Sequence, residues 1–113
     1  MKTRNFQSRI IVYKKKDGEF LSVALDFDLM AEGSTPGSAL DHLNEAIHGY
    51  LQMCLLENEA DEEIYRNAEL KYFHLYDLFQ ELDTKEKKRK SKSDIDGFAT
   101  RQNFNSTLDS MHA

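Results

Sequence analysis

Three carboxylates, Asp26, Asp28 and Glu32, fall within seven residues. A two-metal hydrolase would need such a group, with further acids, to hold two ions about 3.5 to 4 Å apart. In extended backbone Asp26 and Asp28 share a face, but no motif places another acid beside them. The group therefore reads as a solvated acidic rim, or as a charge patch for a basic partner, ahead of a catalytic centre. His42, Glu45 and His48 invite a zinc reading. At 100° per residue the two histidines stand about 120° apart around a helix, whereas the zinc-protease pattern needs histidines at i and i+4 flanking a glutamate. They read as surface polar residues. His74, between Tyr72 and Tyr76, reads as a packed strand histidine, and Cys54 lies in an apolar stripe as a small buried hydrophobe. No serine or cysteine has a neighbouring base, and Gly33 and Gly37 lack the spacing of a phosphate loop. Asn105-Ser106-Thr107 matches a glycosylation sequon that has no meaning without a secretory signal. No catalytic residue, metal ligand or cofactor is expected.

Charge is the stronger signal. Counted over Lys, Arg, Asp and Glu, residues 1–16 carry +6, residues 17–83 carry −14, residues 84–93 carry +5 and residues 94–113 carry −2, for the net −5. A body this acidic is a poor surface for nucleic acid, since each phosphate contact needs a cation. Lys87, Lys88, Arg89, Lys90 and Lys92 form the run that could still touch a polyanion, and otherwise read as a solvated linker.

The elements that must carry these residues come from 113 residues, enough for one domain with tails. At 40% apolar, 31% charged residues and a mean hydropathy of −0.66, the chain is polar yet able to build a core. No apolar run approaches a membrane span and the first residues lack a signal-peptide core, so a cytoplasmic location is expected. One cysteine permits neither an internal disulfide nor a Cys-rich zinc site.

Ile10–Tyr13 and Phe20–Leu25 flank Lys14-Lys15-Lys16-Asp17-Gly18, which predicts a hairpin with Gly18 at the turn. In the second run Leu21, Val23 and Leu25 alternate with Phe20, Ser22 and Ala24. A short third strand follows at Leu29–Glu32, ended by Gly33. Thr35 and Pro36 then start a helix, with Leu40, Leu43, Ile47, Tyr50, Leu51, Cys54 and Leu55 as its apolar stripe. Residues 57–69 are acidic, a helix or a loop. The run 70–75 has strand-like composition, although Leu75, Leu78, Phe79 and Leu82 also fit helical spacing; a strand near 70–75 and a short helix near 77–90 are expected. From Ser91 onward the chain reads as a mobile tail with local structure at most around Phe98 and Phe104.

This order of elements, with Asp17-Gly18 at the turn, Leu25-Asp26-Phe27-Asp28-Leu29, Gly33-Ser34-Thr35, Ala39-Leu40, Asn44-Glu45-Ala46-Ile47 and Tyr50-Leu51 at the joints, resembles the HicB-like antitoxin family over residues 8–56. The resemblance implies an α+β, partial RNase H-like fold. It has a small antiparallel sheet of three to four strands in the order β-β-β-α-β, one amphipathic helix across it, and a helical or disordered C-terminal tail. The expected division is a domain at 1–76 and a short helix, basic linker and tail at 77–113.

The resemblance also implies a non-enzymatic protein that binds and neutralises a small HicA-like, mRNA-cleaving toxin, with Asp26, Asp28 and Glu32 as toxin-facing acids. Homo-oligomers are expected, with Tyr13, Tyr50 and the 72–76 aromatics as interface candidates. Family members often repress their own operon through a separate C-terminal DNA-binding unit. No such motif follows residue 77 here, and phenylalanine, leucine and methionine replace the family's Pro-Gly elements near the third strand. The other readings are an orphan HicB-like interaction domain without a toxin and, last, an RNase H-like nuclease.

Overall fold

The structure, a computed structural model, describes residues 3–89 and 97–107. The chain runs β1 (Thr3–Lys14), β2 (Phe20–Ala24), β3 (Leu29–Gly33), α1 (Pro36–Leu56), α2 (Asp61–Ile64), α3 (Leu70–Arg89) and β4 (Gly97–Thr107). The strands form one antiparallel sheet in the order β3-β2-β1-β4. The α+β class and the four-stranded antiparallel sheet are as expected. Helices, however, cover both faces of the sheet.

Local chemistry accounts for the first half. Gly18 takes a φ of 92°, the left-handed conformation the β1–β2 turn requires, and Asp17 Oδ1 accepts from the Glu19 N–H at 2.9 Å. Thr35 caps α1, its hydroxyl accepting from the Ser38 N–H at 3.0 Å. At Gly33 a Cβ would stand 2.4 Å from the Ala39 nitrogen, so only glycine lets β3 end against the first turn of α1. The helix closes on Asn58 in left-handed geometry (φ 58°), with the Asn58 and Glu59 N–H groups donating to the Leu55 and Cys54 carbonyls. This is a Schellman stop.

Because side chains alternate along a strand, each face of the sheet has its own core. On one side Phe6, Ile10, Val12 and Ala24 meet Ala39, Leu43, Ile47, Leu51 and Cys54 of α1, with Phe27 and Ile64 closing the end. Phe27 is the hub: its ring stacks on Tyr65 at 5.5 Å and meets Phe6, Tyr50 and Phe104 at 6.0 to 6.4 Å. On the other side Ile11, Leu21, Val23 and Leu25 meet Ala68, Tyr72, Tyr76 and Phe79.

Two expectations for the second half are corrected. The strand near 70–75 is the start of α3, which spans Leu70–Arg89 as one helix, so the short helix at 77–90 is its continuation. The buried residues Tyr72, Tyr76 and Phe79 stand at i, i+4 and i+7, and the apolar face of β2 needed a second cover. The expected mobile tail contains β4, which pairs with β1 over eleven residues from Thr3↔Thr107 to Tyr13↔Gly97. The fourth strand is thus 97–107, and a boundary at 76/77 would cut α3 in its middle. Residues 57–69 resolve into one turn of helix and an extended segment. The latter donates from the Arg66 and Ala68 N–H groups to the Asp26 and Leu25 carbonyls as the chain crosses from the α1 face to the α3 face.

Candidate functional site

Two surfaces stand out. The first is on α1. The helix contains no Lys or Arg, and none occurs anywhere from Asp17 to Tyr65, a stretch with twelve acids. Its outer side exposes Asp41, Glu45, Ala46, Gly49, Met53, Leu56 and Glu57. Ala46, Gly49, Met53 and Leu56 are spaced 3, 4 and 3 apart and so form one stripe, flanked by carboxylates. Met53 and Leu56 are 55% and 60% exposed, and a Cβ at Gly49 would meet nothing within 4 Å. Within this chain nothing occupies that stripe among the described residues. Beyond the helix, Glu57, Asp61, Glu62 and Glu63 continue the acidic surface, with Asp61 paired to Arg4.

The second surface lies on the opposite face of the sheet, where β1 and β4 run past the residues α3 covers. Gln7, Arg9, Asp26, Tyr65 and Arg101 line an open polar hollow of about 340 Å³. Arg9 grips Asp26 with its side chain in a fork, Nη2 to Oδ1 at 2.7 Å and Nε to Oδ2 at 3.2 Å, while the Arg9 main-chain N–H donates to Oδ2 at 2.8 Å. The guanidinium also lies 4.9 Å from the Phe73 ring centroid. Burial would raise the Asp26 pKa, but the Arg9 bonds and charge outweigh it and hold the carboxyl below its ordinary value. Arg101 sits directly opposite Arg9 on β4. The Gln7 N–H donates to the Tyr65 hydroxyl at 3.2 Å, and Gln7 Nε2 donates to Asn103 Oδ1 at 3.1 Å.

The acids singled out by sequence are therefore separated. Asp26 belongs to Arg9. Asp28 is exposed in the β2–β3 turn with a φ of 54°, so the strand geometry that would have put it on one face with Asp26 is absent. Glu32, near the other end of β3, pairs with Lys15 Nζ at 2.5 Å. Among the described residues no group of three or more His, Cys, Asp or Glu could hold a metal ion. Of the basic run, Lys87, Lys88 and Arg89 lie on the last turn of α3, and Lys90 and Lys92 lie outside the described residues. His42 Nδ1 is 2.7 Å from the Glu32 carbonyl. His74 is exposed on α3 and not packed in a strand.

Cys54 is buried, as expected, and burial pushes its thiol pKa up. Burial also pushes the Tyr50 phenol up to about 12; its hydroxyl donates to the Ile64 carbonyl at 2.6 Å. Tyr72 and Tyr76 are 5% exposed, so they serve the core and cannot act as interface residues on this surface. Arg9, Arg101 and Tyr65 were not singled out by sequence reading. Arg9 carries a usable signal, a cation one residue before the Ile10–Tyr13 strand. Arg101 and Tyr65 join it only through long-range pairing.

No helix among the described residues is long and apolar enough to cross a membrane. No protein-family model, no curated protein and no solved structure matches the chain.

Proposed function

We propose that this chain is a non-catalytic binding protein of the HicB-like antitoxin type, which neutralises a small, basic, HicA-like RNA-cleaving toxin by covering its cationic surface. The observation that carries the reading is the outer face of α1, an exposed Ala46, Gly49, Met53 and Leu56 stripe between carboxylates, within 49 residues that contain no Lys or Arg. An RNA-cleaving protein must be basic where it holds its substrate. An acid-flanked apolar stripe supplies both halves of such an interface, attraction at a distance and apolar contact once docked. Glycine in an exposed helix middle costs about 1 kcal/mol relative to alanine, and nothing in the chain needs it at 49. Close approach of a partner backbone gives it a use.

The test is co-purification of the tagged full chain from its native cells, with mass spectrometry of what accompanies it. The reading expects a stoichiometric small basic protein that cleaves RNA, is inhibited by this chain, and is released by high salt and by the double change Asp41→Lys and Glu45→Lys. A partner that survives the double reversal, or none at all, removes the reading.

One observation favours a second reading, an orphan oligomeric interaction domain. β4 is an edge strand of eleven residues, and such an edge offers unpaired backbone groups to another strand. Light scattering of the pure chain separates the two. A stable oligomer without a co-purifying protein favours the orphan module, and a chain that binds a basic protein, whether as monomer or oligomer, favours the antitoxin.

A further inference from the structure

We propose that the hollow lined by Gln7, Arg9, Asp26, Tyr65 and Arg101 is a binding site for a single phosphate group. Arg9 and Arg101 are register partners on β1 and β4, so their side chains leave the same face of the sheet directly opposite one another. Like charges in that position repel unless an anion lies between them. The hollow contains one carboxylate, and both of its oxygens are taken by Arg9. Arg101 is exposed and feels the Asp26 charge without gripping the carboxylate as Arg9 does, so two arginines share one carboxylate and the cluster keeps a net positive charge.

The neutral groups point the same way. The Tyr65 oxygen accepts from the Gln7 N–H, which leaves the phenolic hydrogen free to donate outward. Gln7 Nε2 uses one hydrogen on Asn103 and keeps another. Donors thus arrive from β1, from β4 and from the segment after α2, an arrangement that suits a tetrahedral oxyanion better than a planar carboxylate. The hollow, about 340 Å³, holds more than a bare phosphate. The Tyr65 ring stacks on Phe27 with one face and is 39% exposed, which offers a platform for a base. The twelve acids of residues 17–65 repel a long polyanion, so the ligand is small, free phosphate or a mononucleotide.

The experiment is an NMR titration of the full chain, at constant ionic strength set with sodium chloride, with inorganic phosphate, adenosine 5′-monophosphate and acetate in separate arms. The proposal expects saturable shifts centred on Gln7, Arg9, Tyr65 and Arg101. Arg101→Gln should weaken phosphate binding about tenfold, with Arg101→Lys keeping part of it and Tyr65→Phe costing a few-fold. Arg101 is exposed, so both variants at 101 should keep the wild-type spectrum elsewhere. A nucleotide that binds more tightly than phosphate makes the nucleotide the source, and equal binding makes it free phosphate. Shifts that do not saturate, shifts centred on Lys14–Lys16, acetate binding as well as phosphate, or an unaffected Arg101→Gln variant would each overturn the site.

Discussion

The two faces of the sheet are built from the same strands and end up with different work. Under α1 the strands present Phe6, Ile10, Val12 and Ala24, and the polar exceptions are satisfied internally. Ser22 Oγ is 2.7 Å from the Ala39 carbonyl, and Ser8 Oγ accepts from the Asp26 N–H at 3.3 Å. Under α3 the apolar residues Ile11, Leu21, Val23 and Leu25 occupy only part of the surface. Beyond them the same face continues as Arg9, Gln7 and, on β4, Arg101 and Asn103, left open to water. Along β1 the α1 face is sealed from Phe6 to Val12, and there it serves stability. A face sealed over half its length keeps charged side chains at fixed spacing on rigid strands, and the α1 face does its contacting from the far side of the helix.

Five substitutions break or sharpen that contrast. The largest effect is expected at the sealed face, where Phe27 is 1% exposed and joins four other aromatic rings. Phe27→Ala should cost about 4 kcal/mol in urea unfolding. Phe79→Ala on the other face should cost less, about 3 kcal/mol, because Phe79 packs at the edge of its cluster against Gly97. If the two costs were reversed, the α3 face would be the main core.

Gly33→Ala tests the joint that seats α1 on the sheet. A Cβ there meets backbone at 2.4 and 2.8 Å, so strand or helix must move, at about 3 kcal/mol. A loss below about 1 kcal/mol would mean that the joint yields easily.

Asp26→Asn addresses the open end. It leaves Arg9 without its partner and should cost about 2 kcal/mol at neutral pH. The folded-state pKa of Asp26 is depressed. Its stabilisation is therefore fully present above the unfolded carboxylate pKa of about 3.9, and it is lost as pH falls through the lower folded value. Urea midpoints taken from pH 6 down to pH 2 should fall more gently in the variant than in the wild type. Parallel curves would show that the pair contributes nothing to acid stability.

The smallest effect has the opposite sign. Gly49→Ala, on the outer side of α1 with open space around it, should stabilise the free chain by about 1 kcal/mol, read as a raised Tm. The same change should weaken capture of a partner that packs against α1. A gain in stability with no loss of binding would detach the α1 stripe from the proposed interface.

Much of the first half was legible residue by residue. The Gly18 turn, the Thr35 cap with Pro36 behind it, the five-residue β3 ending at Gly33 and the apolar stripe of α1 all depend on neighbours within one helical turn or one hairpin. The second half was misread where local composition and tertiary demand disagreed. Leu70–Tyr76 looks like a strand because aromatic density is a local property, whereas its helical state answers an apolar sheet face some fifty residues earlier. The clue was present in the run Phe20–Leu25: Leu21, Val23 and Leu25 on one side and Phe20 and Ala24 on the other leave both faces apolar, and one helix cannot cover two faces. Gly97–Thr107 is too polar to announce a strand, and it becomes one because β1 extends back to Thr3 and offers it eleven partners.

What the sequence determined by itself was therefore everything governed by short range or by summation: turn, cap, helix stripe, the acidic body and the α+β class. Which charges meet was decided by tertiary structure alone. Asp26 was read with Asp28 and Glu32 because they are neighbours along the chain. Folding gave it to Arg9, seventeen residues away, and set Arg101 opposite Arg9 across the sheet. Coulomb and hydrogen-bond energies fall off over a few ångströms of space, and separation along a chain carries no such information until the strands have paired.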